Sequence, residues 1–308
     1  MSDFPRSILA FQRQFPDSES CAAWLSAARW PDGFRCPGCG HDHGWKLETK
    51  AWTYECSRCS RQTSLTAGTV MHGSKLSLMV WFWAAYLMAT HSNGISARQI
   101  WRQLGLGSYK SAWLLCAKLR RAMVNPDRAL LSVLVEIDET QIPYRMKGDP
   151  VAGGGGRSPD GKLQIVAAIE VNDGKPGRLR LGVIRDGSSE SLHPFITNNV
   201  TPGGMVKTDG WRGYLGVRGV SHDPHVVGPM AAHIILPWVH RVFANLKTWA
   251  LGVYHGLRPY HLQSYLDEFV FRFNRRSTPH AAFRSLLGIG LATNPITYKM
   301  LIEPEATG

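Results

Sequence analysis

The sequence predicts an α/β chain in which a mixed sheet flanked by helices follows a cysteine-rich ribbon and a helical region. Three observations carry this expectation. Short β-branched runs alternate with helical patterns between residues 133 and 273. Two Cys-x-x-Cys pairs, Cys36/Cys39 and Cys56/Cys59, lie ahead of them. Residues 76–123, in between, keep a helical period.

Composition narrows the classes. At 308 residues the chain has room for two domains or one large one. Its 44% apolar content supports real cores and excludes a disordered chain. A net charge of +12 and a pI of about 9.6 favour a polyanionic partner, either nucleic acid or an acidic membrane surface. The longest apolar run, Leu76–Ala89, is too short to span a bilayer and reads as a buried helix. The N-terminus lacks a signal-peptide pattern, so a cytoplasmic protein is the default expectation.

Residues 1–32 read as an N-terminal helical segment of two short helices, the second capped by Asp17 or Ser18, with Cys21 in the core. Residues 33–66 form the ribbon. Cys36-Pro-Gly-Cys39 and Cys56-Ser-Arg-Cys59 stand sixteen residues apart. In a reducing compartment such pairs point to metal, and four thiolates close a tetrahedral structural zinc site. Gly38 and Gly40 suit the tight turn, and Trp45–Glu48 and Trp52–Glu55 read as two strands. His41 and His43 lie nearby but are superfluous beside four thiolates.

Residues 74–125 read as a helix-turn-helix-like region. Leu76–Thr90 is one helix; a second starts at a Ser96 cap; Gly105–Ser108 turns into a third over Tyr109–Met123. Arg98, Lys110, Lys118, Arg120 and Arg121 are the expected DNA contacts. The competing reading is a small bundle with an ordinary solvated basic face.

Residues 130–290 read as the second domain, and 291–308 as a tail. Val133, Leu134, Val135 and Ile137 make a buried strand, and alternation places Glu136, Asp138 and Thr140 on one of its faces. A carboxylate at the end of a buried strand needs a partner, and a cation is one. Asp209 ends a second such run, Met205–Gly210. Two strand-end aspartates in a basic chain suggest metal-assisted phosphoryl chemistry on nucleic acid. Turn or capping aspartates are the structural alternative. The glycine-rich stretch Lys147–Lys162 lacks a Gly-Lys-Ser/Thr and reads as a mobile loop rather than a phosphate cradle. Strands are expected at Leu163–Asn172 and Arg178–Arg185, a helix at Ser188–Asn199, a strand at Met205–Asp209, and a helix at Leu236–Leu251. On that helix His240, Ala244 and Lys247 share a face. Asn245 falls on another side near Trp238, Arg241 and Trp249, which reads as the packing side. A last amphipathic helix, His261–Phe273, ends in Asn274-Arg275-Arg276, a basic terminus suited to backbone phosphates. Ala282–Leu291 is a short closing element.

The assembled pattern resembles the DDE-type transposases of bacterial insertion sequences, in the branch with a zinc ribbon and a ribonuclease-H-like integrase domain. The residues that carry it are the four cysteines, Glu136-Ile-Asp138-Glu139-Thr140, Lys207-Thr-Asp209-Gly-Trp211-x-x-Tyr214, His240 through Lys247, Gly252-Val-Tyr-His255-Gly256, and Tyr265 through Arg276. The resemblance implies binding of double-stranded terminal repeats and target DNA, a homo-oligomer on DNA, and two catalytic Mg²⁺ or Mn²⁺ ions held by three acidic groups. Asp138 and Asp209 match the first two acids. His240 stands where a Glu is common, seven residues before Lys247, whose expected role is a phosphate contact. Asn245 and Glu136 are the other candidates for the third position. A transposase-derived protein that binds DNA without cutting it, and a nuclease without strand transfer, are the alternatives.

Overall fold

Capping side chains set where the N-terminal helices begin. The structure, a computed structural model, describes residues 5–145, 160–226, 232–254 and 257–302. Ser7 caps α1 (Ile8–Gln14), and Asp17 caps α2 (Ser18–Arg29) in a capping box with Ser20. A three-stranded antiparallel ribbon follows: β1 (Gly44–Lys46), β2 (Thr53–Cys56) and β3 (Gln62–Ser64). The last strand is one more than the sequence suggested. Then come α3 (Leu78–Thr90), α4 (Ala97–Gln103) and α5 (Tyr109–Arg121), whose N-caps are Ser77, Ser96 and Ser108. Helix α3 is apolar on every side and accordingly buried, with Trp81, Phe82, Ala84, Ala85 and Met88 inside.

The chain divides into two compact units, one of Pro126–Arg276 and the other of the residues before and after it. The inner unit holds a five-stranded sheet of β4 (Leu134–Pro143), β5 (Lys162–Asn172), β6 (Lys175–Ile184), β7 (Met205–Thr208) and β8 (Ser221–Pro224). The order is β6-β5-β4-β7-β8. The β4–β5 and β5–β6 pairs are antiparallel, whereas β4–β7 and β7–β8 are parallel. The crossover from β6 to β7 passes through α6 (Ser189–Asn199). This is a ribonuclease-H-like mixed sheet. After β8 come α7 (Ala232–Ile235), α8 (Pro237–Tyr254) and α9 (Leu262–Phe273).

Strand alternation gives the sheet two cores. Ile142, Ile165, Ala167 and Ile169 face Val239, Val242, Phe243, Leu246 and Trp249 of α8 and Leu266, Phe269 and Val270 of α9. On the other side Val135, Ile137, Val166 and Ala168 meet Leu192 and Ile196 of α6 and Tyr214. The packing side of α8 is thus the stripe from Val239 to Trp249. Asn245 and Arg241, expected on that side, are exposed. Val133 is also outside: it is 66% exposed, with φ of +65°, and the strand starts one residue later.

The chain then returns to the first unit. Helix α10 (Pro279–Ala292) packs on α3, and α11 (Tyr298–Ile302) follows it. Phe283 joins an aromatic cluster with Phe11, Phe15, Trp24, Phe82 and Tyr86, at centroid distances of 5.4–6.4 Å. Val70 donates its N–H to the Gly290 carbonyl at 3.0 Å. The closing element expected within the sheet domain is therefore part of the helical unit, because its apolar stripe finds its partners there. The glycine-rich stretch 147–159, and His255 and Gly256, lie outside the described residues.

Candidate functional site

The ribbon brings four sulfurs together from two matching turns. In the first, Cys36 N–H donates to His41 O and Gly40 N–H to Cys36 O. In the second, Cys56 N–H donates to Arg61 O and Ser60 N–H to Cys56 O. Gly40 and Ser60 take φ of +71° and +53°, the left-handed geometry that closes each turn. The four Sγ atoms all lie within 4.8 Å of one another, and the pairs Cys36–Cys59 and Cys39–Cys56 stand at 3.6 Å. A tetrahedron of Zn–S bonds has edges of about 3.8 Å, so the donor set fits zinc. Backbone N–H groups of Cys39 and Gly38 draw Cys36 down to about 6. Cys59 is favoured as thiolate by the Arg61 N–H, but the neighbouring sulfurs push it up to about 12. Such crowding is what a cation relieves.

The basic residues expected to contact DNA divide. Arg98, Lys110 and Arg121 are exposed, and Lys110 lies 4.0 Å from the Tyr298 ring centroid. Lys118 and Arg120 are buried, at 6% and 1% exposure. Lys118 donates to the His72 carbonyl at 2.9 Å, and burial lowers its pKa. These two flank the stripe Ala112, Leu115, Cys116, Leu119, and their long stems follow it into the core. Arg276 donates to the Pro176 and Gly177 carbonyls. Arg275 is half-buried over the Phe271 ring, 3.9 Å from its centroid.

The acidic site is built by register. Parallel β4 and β7 pair Leu134 with Met205, Val135 with Val206 and Glu136 with Lys207. Continuing by two residues sets Asp138 opposite Asp209, which follows the end of β7; β4 runs on to Pro143, so Asp138 lies mid-strand and not at the strand end the sequence suggested. Asp209 turns its Oδ1 to the Trp211 N–H at 3.0 Å. Asp138 is 8% exposed, and its Oδ1 accepts the Glu139 N–H at 2.8 Å. Its Oδ2 lies 3.3 Å from His240 Nε2. Asp138 and His240 are thus in contact, but with Asp209 they do not make a metal-sized cluster: among the described residues only the four cysteines bring their ligand atoms within 4.8 Å of one another. Lys247 is exposed two turns along the same helix, as is Asn245.

Glu136 has another task. Its Oε2 accepts the N–H groups of Trp238 at 2.9 Å and Val239 at 3.0 Å, the first turn of α8. A carboxylate there satisfies two amides without helical partners and complements the helix dipole. His240 follows directly, so the same strand face that carries Asp138 also positions the helix that carries His240.

One acid escaped the alternation argument. Glu139 points to the opposite face of β4, yet it interacts electrostatically with Asp138 and Asp209 and lies against the buried Tyr214 hydroxyl. Burial raises Glu139 to about 7, Tyr214 acting against the rise and Asp209 adding to it. Burial raises Asp138 to about 8, and the charges of Glu139 and Asp209 add to that while the Glu139 N–H opposes it. Its only sequence signal was its place directly after Asp138. Carboxyl groups raised first by burial, with the Asp209 charge adding to it, are groups whose charged form a divalent cation would favour.

The fold defines a class, a ribonuclease-H-like domain with a zinc-ribbon module ahead of it. Residues 130–274 match the ISXO2-like transposase domain, and residues 16–62 match the transposase zinc-ribbon domain. The chain carries both, the pairing of zinc-ribbon-bearing DDE-type insertion-sequence transposases. Among curated proteins none matches significantly. Among solved structures, the CryoEM structure of the simian T-cell lymphotropic virus intasome in complex with PP2A regulatory subunit B56 gamma is similar at 14% identity. The match covers 73% of this chain and 76% of that one, with a TM-score of 0.26.

Proposed function

We propose that the chain is a DNA transposase that binds the terminal repeats of its element, cuts there and joins the 3′ ends to target DNA. The observation that carries this reading is the contact of Asp138 with His240 beside the end of β7, the strand that leads into Asp209. The matching transposase and zinc-ribbon domains support it.

Asp138 and Asp209 would hold divalent metal, with His240 in the third position. Bound there, Mg²⁺ or Mn²⁺ would lower the pKa of an attacking hydroxyl and stabilise the leaving oxygen. The imidazole favours Mn²⁺, since Mg²⁺ prefers oxygen donors. Asp138 Oδ2 orients the His240 ring by their 3.3 Å contact, and Glu136 fixes the helix start on which that ring rides. Lys247 would meet a phosphate near the scissile bond. The four-thiolate ribbon would hold zinc as a structural element, and Arg98, Lys110 and Arg121 would contact duplex phosphates. Joining two ends would require a homo-oligomer on DNA, and a cytoplasmic setting goes with that reading. Among the described residues no helix is long and apolar enough to cross a membrane.

The test uses labelled duplexes carrying the element's own ends, with Mg²⁺ and then Mn²⁺. Cleavage and joined products in wild type, lost in Asp138→Ala, Asp209→Ala and His240→Ala, are expected. Tight binding without cleavage in either metal would make the chain a DNA-binding protein only, and cleavage without joined product a nuclease.

A further inference from the structure

Beside Asp209 stands an aromatic ring that the acid chemistry does not use. Trp211 is 47% exposed, although large aromatic side chains usually bury themselves. Its position is nonetheless fixed at three points. Its backbone N–H is held by Asp209 Oδ1 at 3.0 Å. Its indole N–H donates to the Gly187 carbonyl at 2.8 Å. Its carbonyl accepts the N–H of Tyr214, a fully buried residue that anchors the following turn. The turn leaves no slack: a Cβ on Gly213 would meet the Gly187 carbonyl at 2.2 Å and the Trp211 ring nitrogen at 2.9 Å.

A ring whose only donor is already satisfied, and which is still half in water, offers flat apolar surface and nothing else. Next to it, exposed Arg212 carries its guanidinium 5.6 Å from the ring centroid. A fixed aromatic face paired with a cation matches the alternation of base and phosphate along a nucleic-acid strand. A net charge of +12 favours such a polyanion over an acidic or apolar protein segment. We infer that Trp211 is a stacking platform for an unpaired nucleobase of the strand whose phosphate reaches Asp209, with Arg212 on the adjoining phosphate. This rests on the reading of Asp138 and Asp209 as a DNA-processing site and adds to it a residue that positions the strand. Unstacking a base at a duplex end is cheapest where the pair is already open, so the platform favours frayed or tailed ends.

The experiment uses a duplex of the element's end with an unpaired 3′ tail carrying 2-aminopurine, whose fluorescence falls on stacking, in Ca²⁺ so that no cutting intervenes. Wild type and Trp211→Phe should quench the tail. Trp211→Leu should not, and should bind the tailed duplex roughly tenfold more weakly while binding the blunt duplex unchanged. Phe and Leu both lose the bond to Gly187, so a loss of quenching in both would mark a structural role and overturn the proposal. Equal quenching in Trp211→Leu and wild type would overturn it as well. So would a change of oligomeric state in Trp211→Leu with no quenching in wild type, which would mark a protein contact. Cleavage in Mn²⁺ is read separately: quenching without cleavage in wild type sinks the catalytic reading and leaves the platform, and cleavage without quenching does the reverse.

Discussion

The carboxylate of Glu136 accepts the backbone N–H of Trp238 at 2.9 Å, joining the middle of a central strand to the first turn of α8. The Val239 N–H shares the same oxygen. Glu136→Ala leaves both amides buried against the sheet without an acceptor. The expected cost is about 1–3 kcal/mol, read from the urea midpoint, with Glu136→Gln losing less because it keeps an oxygen. An alanine variant as stable as wild type would mean the contact is incidental. Because His240 sits at the next position, cleavage should weaken in the alanine variant even at temperatures where it remains folded.

The acid cluster makes metal-free stability fall with rising pH. Burial, and then neighbouring charge, holds the Asp138 proton up to about 8, whereas an unfolded aspartate releases it near 3.9. Between those values the native state binds more protons than the unfolded state, so stability declines through that window. Melting temperatures near pH 8 should therefore lie below those near pH 5. Asp138→Asn should flatten the profile, and Mn²⁺ should restore the loss at the alkaline end. A flat wild-type profile would remove the basis for a crowded carboxylate site.

Zinc content separates the two kinds of cysteine. The expected stoichiometry is one zinc per chain, measured by elemental analysis. It should be lost in Cys39→Ser and Cys59→Ser and kept in Cys21→Ala and Cys116→Ala. Cys21 is buried, with desolvation pushing its thiol up to about 12, and Cys116 is buried on α5. Neither belongs to the four-sulfur cluster, and Cys21 directs its S–H to Met79 Sδ at 3.6 Å.

Burial likewise separates the basic residues of α5. Lys118→Ala removes a buried bond to the His72 carbonyl and should lower the melting temperature by a few degrees. Arg121→Ala should leave melting unchanged, weaken duplex binding across sequences, and reduce the slope of log K against log salt by about 1. If Arg121→Ala leaves both affinity and slope untouched, α5 is not a DNA-facing helix.

Several elements were legible because one local rule decided them. The Ser96 cap marked α4, the Gly105–Ser108 turn marked α5, and the cysteine spacing marked the metal turns. The alternation of β4 put Glu136 and Asp138 on one face, and His240 Nε2 stands 3.3 Å from Asp138 Oδ2. What stayed hidden depends on partners distant in sequence. Lys118 and Arg120 read as surface charges until the packing of α5 encloses them. Glu136 looks like a spare ligand until α8 arrives to use it. Strand β8, reading Ser-His-Asp-Pro, has no apolar signal, because an edge strand is specified by its neighbour's register rather than its own hydrophobicity. Helix α10 follows directly on the sheet unit, and nothing in its own sequence says that its partners lie far upstream.

That last placement has a consequence for synthesis. The core of the helical unit includes Phe283, so it cannot close when its first residues leave the ribosome; it waits for the whole intervening sheet unit. At about 5–20 residues per second that wait lasts on the order of ten to thirty seconds. During it, Phe11, Phe15, Phe82 and Tyr86 lack the ring that covers them. A message cut short anywhere before α10 yields a chain with its aromatic centre uncapped, a substrate for proteases and chaperones. The helical unit thus completes its core only with residues made after the whole sheet unit.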